Sequence, residues 1–187
     1  MYSASDLRKG LKIEIDGVPY VVTEFNFVKP GKGQALYTCK LKNMVDGGTI
    51  TKTYRSNDRI EAPKLEEKNL EYSYQDGDRY VFMDRNYEQM AIGAGSLGEA
   101  RLFLVEDLPV TVLIHNDEVV EVRLPNFVEQ RVVRTEPGVR GNTATNVLKP
   151  ALLSGGYEVQ VPLFVNEGDV VKVDTRTGKY VDRVLKK

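Results

Sequence analysis

Short runs of β-branched and aromatic residues, cut at close intervals by Asp-Gly and related turn pairs, constrain this chain more than anything else in it. LKIEI (11–15) meets Asp16-Gly17 and resumes as VPYVVTEFNFV (18–28). ALYTCKLKNM (35–44) meets Asp46-Gly47-Gly48 and resumes as TITKTYRS (49–56). Such pairs between strand-like runs are hairpin signals, because both central residues of the tight turn need positive φ. Leu36, Thr38 and Lys40 alternate with Tyr37, Cys39 and Leu41, as a half-buried strand requires. The first sixty residues therefore read as a small antiparallel barrel, closed or nearly so, ending near Ala62-Pro63-Lys64.

A second hairpin centres on Asp76-Gly77 within LEYSYQDGDRYVFMD (70–84). SLGEARLFLVEDL (96–108) then predicts one helix, near 96–107. Ser96 and Glu99 have capping-box spacing, and Leu97, Ala100, Leu104, Val105 and Leu108 form an apolar face. Strands resume at PVTVLIHN (109–116) and EVVEVRL (118–124), before a break at Pro125-Asn126. The remainder is again strand: FVEQRVVRTE (127–136), YEVQVPLFV (157–165), DVVKVDTRTG (169–178) and KYVDRVL (179–185). The polar stretch 137–156 reads as a long functional or mobile loop. The expectation is an all-β chain of three small domains, 1–63, 64–127 and 128–187. The last two resemble five-stranded oligonucleotide-binding (OB) barrels.

Several chemistries find no support. The single Cys39 excludes an internal disulfide and suits a reducing compartment. With one histidine there is no zinc constellation, and His115 reads as a surface or strand-end residue. No hydrolase or Walker motif occurs, so neither enzyme, catalytic residue, metal nor cofactor is expected. No apolar run approaches the ~20 residues of a membrane span, and no secretion signal opens the chain, so the cytoplasm is the expected location. Net charge is −1, but its distribution is uneven. Residues 1–63 hold ten Lys+Arg against seven Asp+Glu; residues 64–127, six against thirteen; residues 128–187, ten against seven. Basic ends around an acidic middle permit a two-ended RNA contact without demanding one.

One loop stands apart. In FVKPGKGQALY (27–37), Lys32 lies between Gly31 and Gly33, after Lys29-Pro30, with strands on both sides. The pattern builds a projecting turn with a cation at its apex. Spacing alone leaves three readings open: a solubilising turn, a covalent carrier displaying its lysine, or a finger entering an RNA-lined site where lysine acts as a point charge on phosphates. The carrier lysine is usually flanked Met-Lys-Met or Asp-Lys-Ala, and neither occurs here.

KPGKGQA (29–35) closely resembles the tip loop of the bacterial elongation factor P family. So do DLRKGLKIEIDGVPYVV (6–22), YVFMDRNYEQ (80–89), LPNFVEQRVVRTEPGVRGNTA (124–144) and KPALLSGGYEVQVPLFVNEGDVVKVDTRTGKYVDRV (149–184), in the family's order. The resemblance implies an L-shaped, tRNA-like outline of an SH3-like (KOW-type) barrel and two OB-type barrels, with one short helix in the middle domain. It implies a monomeric elongation factor bound to both ribosomal subunits between the peptidyl and exit tRNA sites. There it stimulates peptide-bond formation and relieves stalling at consecutive prolines, with Lys32 meeting the peptidyl-tRNA acceptor end. Lys29, Pro30, Gly31 and Gly33 would complete that contact. Lys32 would be the position of a post-translational aminated extension, added by a separate lysine-modifying enzyme. The third-domain loop, with Arg140, Gly141, Asn142 and Thr143, would approach the exit-site codon region; the family's Gly-Asp-Thr-Ala there is Gly141-Asn142-Thr143-Ala144.

Overall fold

The structure is a computed structural model and describes residues 1–138 and 147–185. Arg140, Gly141, Asn142 and Thr143 thus lie outside the described residues. Two compact units emerge, Met1–Glu67 with Leu113–Glu121, and Lys68–Val112 with Val122–Lys187.

The N-terminal region holds β1 (Tyr2–Ser3), β2 (Lys12–Ile15), β3 (Val18–Val28), β4 (Leu36–Asn43), β5 (Thr49–Arg55) and β6 (Arg59–Ile60). A four-stranded antiparallel sheet runs β2-β3-β4-β5, and β1 pairs with β6. The Asp16-Gly17 turn has φ of 51° and 79°, the double positive-φ conformation that its sequence announced. Alternation in β4 holds, with Cys39 and Leu41 fully buried and Lys40 and Lys42 exposed. These join Ala4, Leu7, Leu11, Ile13, Val22, Tyr54 and Ile60 in one core.

The middle region contributes β7 (Glu66–Asp76), β8 (Arg79–Met83), β9 (Gln89–Gly93), β10 (Pro109–His115) and β11 (Glu118–Arg123), in the order β11-β10-β7-β8-β9. The predicted helix is shorter than its apolar periodicity suggested. An α-turn, α1 (Ala94–Leu97), gives way to a 3-10 segment over Gly98–Phe103. Gly98 has φ of +57°, which ends the α-helix after four residues. Ser96 lies inside α1, whose cap residue is Gly93, so the Ser96–Glu99 capping box does not form. Of the expected apolar face, Leu97, Leu104 and Leu108 are buried, Ala100 and Val105 only half-buried, and Phe103, off that face, is buried as well. His115 ends β10 and is buried, at the strand end but not on the surface.

The C-terminal region forms β12 (Phe127–Thr135), β13 (Leu148–Leu153), β14 (Glu158–Pro162), β15 (Val170–Asp174) and β16 (Lys179–Val184), in the order β14-β13-β12-β15-β16. The stretch 137–156 is therefore not all loop. Its Leu148–Leu153 part pairs with both β12 and β14, and Pro150 sits opposite Gln160. Lys149, buried beside that proline, donates from Nζ to the Glu136 carbonyl. The architecture is all-β with one short helix.

Candidate functional site

The loop that carries Lys32 is positioned by a defect in the sheet. In β3, Val22 sits opposite Leu41 and points into the core, but Glu24, not Thr23, sits opposite Lys40. Thr23 is thus the extra residue of a β-bulge, tied by its hydroxyl to the Lys40 carbonyl at 3.1 Å. Because side chains alternate across a strand, one extra residue exchanges the two faces beyond it. Phe25 and Phe27 consequently continue the face begun by Val22, opposite Cys39 and Tyr37, while Glu24 and Asn26 turn the other way.

Pairing persists to the end of the hairpin: Val28 lies opposite Leu36, and Leu36 opposite Arg55. Residues 29–35 close the turn from this three-stranded base. Lys29, Pro30, Gly31, Lys32 and Gly33 are all exposed. Gly33 has φ of +116°, a conformation strained for any other residue, whereas Gly31 does not need positive φ. A Cβ added at either glycine would meet nothing within 4 Å, so the protein's own atoms leave the lysine uncrowded on both sides.

Some other lysines are engaged, whereas, among the described residues, Lys9, Lys42 and Lys64, like those of the tip, are not. Lys40 pairs with Glu24 at 3.9 Å, Lys52 lies 5.0 Å over the Tyr54 ring, and Lys172 lies 6.0 Å from the Phe127 ring. Among the described residues, Lys29 and Lys32 have neither an ion pair nor a hydrogen-bond partner. An unpaired ammonium on a long stem, free of its own domain, suits contact with an anionic partner and supplies no orienting base for covalent catalysis. The structure groups Lys29 to Gly33 in one loop. Sequence reading missed what supports them: the bulge at Thr23 and the ring cluster of Phe25, Phe27 and Tyr37. The interrupted alternation Val22, Phe25, Phe27 was its only signal.

No group of three or more His, Cys, Asp or Glu among the described residues could hold a metal ion. None of the described helices is long and apolar enough to cross a membrane.

Comparison with known proteins matches the chain to three family models in succession. Residues 3–60 match the elongation factor P KOW-like domain, 65–122 the elongation factor P OB domain, and 128–183 the elongation factor P C-terminal domain. The elongation factor P of Syntrophus aciditrophicus is 50% identical over 98% of this chain and 99% of its own. That of Desulfosudis oleivorans is 49% identical over 100% of both. A solved eukaryotic translation initiation factor 5A from Methanococcus jannaschii shares the fold at a TM-score of 0.53 and 20% identity, over 66% of this chain and 94% of that one.

Proposed function

The chain belongs to the elongation factor P family, and on that premise we propose that it acts on the ribosome, between the peptidyl and exit tRNA sites, to relieve stalling at consecutive prolines. Lys32 is the working residue. The observation that supports this is the exposed ammonium at the hairpin apex, unpaired and uncrowded.

The physical logic is orientation. Proline is a secondary amine with locked φ, a poor attacking group on a stiff peptide end. Rate is lost when the peptidyl-tRNA terminus wanders from the reacting geometry. A cation braced against that terminus restores alignment while donating no catalytic group, so the factor is not itself an enzyme. Alignment supplies up to ~7–11 kcal/mol in well-oriented systems, and only about 2.7 kcal/mol is needed for a hundredfold gain. Gly31 and Gly33 permit close approach, Pro30 stiffens the entry, and Lys29 meets nearby phosphate. The third-domain loop, with Arg140 to Thr143, reaches the small subunit near the exit-site codon, Asn142 offering an amide where a carboxylate is usual. The partners are both ribosomal subunits and the peptidyl-site tRNA; the protein works as a cytoplasmic monomer.

The same exposure leaves Lys32 open to an enzyme that extends it with an aminated group, lengthening its reach. Intact mass of the native protein reads this directly, and a biotinyl or lipoyl increment would instead mark a carrier. Lys32→Ala, which removes nothing the fold uses, should leave the melting profile unchanged and abolish rescue of a polyproline reporter. Normal rescue by that variant would refute the role.

A further inference from the structure

Below the tip, the core-facing side of the sheet does not end where the core ends. Two cross-strand rows continue it, Phe25–Cys39–Lys52 and, nearer the tip, Phe27–Tyr37–Tyr54. Cross-strand partners share a face, so three strands contribute rings and one cation to a single shelf. Cys39 and Tyr54 floor it and are buried, whereas Phe25 is 37% and Phe27 48% exposed. Tyr37 holds both phenylalanines, its centroid 6.2 Å from Phe25 and 5.0 Å from Phe27. Lys52 Nζ lies 5.0 Å over the Tyr54 ring at its margin.

Phe25 and Phe27 leave two neighbouring ring faces partly open to a partner that could stack on them. Surrounding charge says what that partner is. Residues 25–42 and 47–57, which form this end of the sheet and its tip, carry Lys29, Lys32, Lys40, Lys42, Lys52 and Arg55 with no Asp or Glu among them. Lys40, Lys42 and Arg55 alternate onto the opposite face, Lys40 pairing there with Glu24, so the cations that flank the rings are Lys52 on the shelf itself and Lys29 and Lys32 in the tip. Rings for bases and cations for phosphates form the usual platform for unpaired nucleic acid, since every base has a π-face and every linkage a negative charge.

We propose that Phe25, Phe27 and Tyr37 form a stacking shelf for the unpaired nucleotides at an RNA 3′ end, whose phosphates Lys29, Lys32 and Lys52 hold. The proposal rests on the reading of the tip as a tRNA contact and deepens it: Lys32 braces the terminus, and the shelf grips the single strand leading to it. Phe27, nearest the tip, is the principal stacking residue. Base–aromatic stacking changes affinity by about five- to a hundredfold per base on alanine substitution.

The test is a titration of the full chain at low salt, followed by aromatic-proton NMR, with two RNA hairpins alike except that one carries a short unpaired 3′ overhang. The overhang hairpin should shift the ring protons of Phe25, Phe27 and Tyr37 upfield and bind at least five-fold tighter than the blunt one. Phe27→Ala should erase that difference, Phe27→Trp should keep it, and Phe27→Leu, which retains apolar area without a ring, should not restore it. Unchanged core resonances of Val22 and Leu41 certify the fold of each variant. Equal affinity for the two hairpins, unmoved rings, failure of both to bind, or full retention by Phe27→Leu would each overturn the shelf. The two readings fail separately. Polyproline rescue retained by Lys32→Ala removes the tip's role while ring shifts stand; rescue lost by Lys32→Ala with no overhang preference removes only the shelf.

Discussion

Gly155 lies in a stretch whose sequence, LLSGGYE, advertises nothing but a turn. In the structure, a Cβ at Gly155 would stand 2.1 Å from the Leu102 carbonyl oxygen and 2.9 Å from Gln130 Nε2. Gln130, 2% exposed, is the link: its Nε2 donates to the Leu102 carbonyl at 2.9 Å, and its Oε1 accepts from the Gly155 N–H at 3.0 Å. Phe103 packs on Tyr157 beside it, ring centroids 4.7 Å apart. Gly155→Ala must therefore push backbone away by roughly an ångström and break at least one of the two hydrogen bonds. Overpacking a tight site costs about 1–3 kcal/mol, and leaving a buried polar group unpaired costs about 1–3 more. The sum, about 2–6 kcal/mol, is a large share of the ~5–15 that holds a domain folded. Gly156 supplies the control. A Cβ there would meet only Leu102 Cδ2, at an ordinary 3.5 Å, so Gly156→Ala feels mainly its φ of +94°, worth about 1–2 kcal/mol. Denaturant midpoints followed by tyrosine fluorescence, the chain having no tryptophan, should fall much further for Gly155→Ala than for Gly156→Ala. Equal midpoints, or the reverse order, would refute the packing argument.

Alkaline pH should destabilise the first barrel in a defined window. Burial, reinforced by negative charge on Cys39 and Asp58, pushes Tyr54 from 10.0 up to about 12. The unfolded phenol loses its proton first, so stability is complete below about pH 10 and falls as pH rises toward 12, by about 2–3 kcal/mol in all. Tyr54→Phe should flatten that limb, leaving the slope due to Cys39, whose thiol burial also raises; an unchanged limb would contradict the assignment. Leu41→Ala, at a fully buried site, should cost about 2–5 kcal/mol in urea unfolding, and a loss under about 1 kcal/mol would mean that the core is not packed as described.

Legibility varied with the range of the interaction that decides each element. The hairpin at Asp16-Gly17 was readable because two adjacent residues determine a tight turn, and both adopt positive φ. The span of β3, Val18–Val28, was also readable from its β-branched and aromatic run, but its bulge at Thr23 was not, because only the partner strand defines register. Strand β13 was hidden by Lys149-Pro150: a proline ordinarily demotes a strand, yet here the pairing of its neighbours tolerates it. Helical periodicity over 96–108 marked Leu97, Leu104 and Leu108 as buried but missed Phe103, and it overstated the helix, since the single Gly98 outweighs the pattern. The tip could be located from Gly-Lys-Gly alone. What the spacing could not supply was the openness around it, a property of the whole domain's packing.

Lys32 carries the proposed function, and one kinetic comparison reaches it most directly. Purified ribosomes holding a peptidyl-tRNA that ends in proline are given prolyl-tRNA, and peptide-bond formation is timed in a single turnover with the native protein and with Lys32→Ala. Both proteins are first shown to melt alike. The native protein should accelerate the bond by at least tenfold, about 1.4 kcal/mol, and Lys32→Ala by less than twofold. Equal acceleration by both would contradict the claim that the exposed tip ammonium aligns the tRNA end.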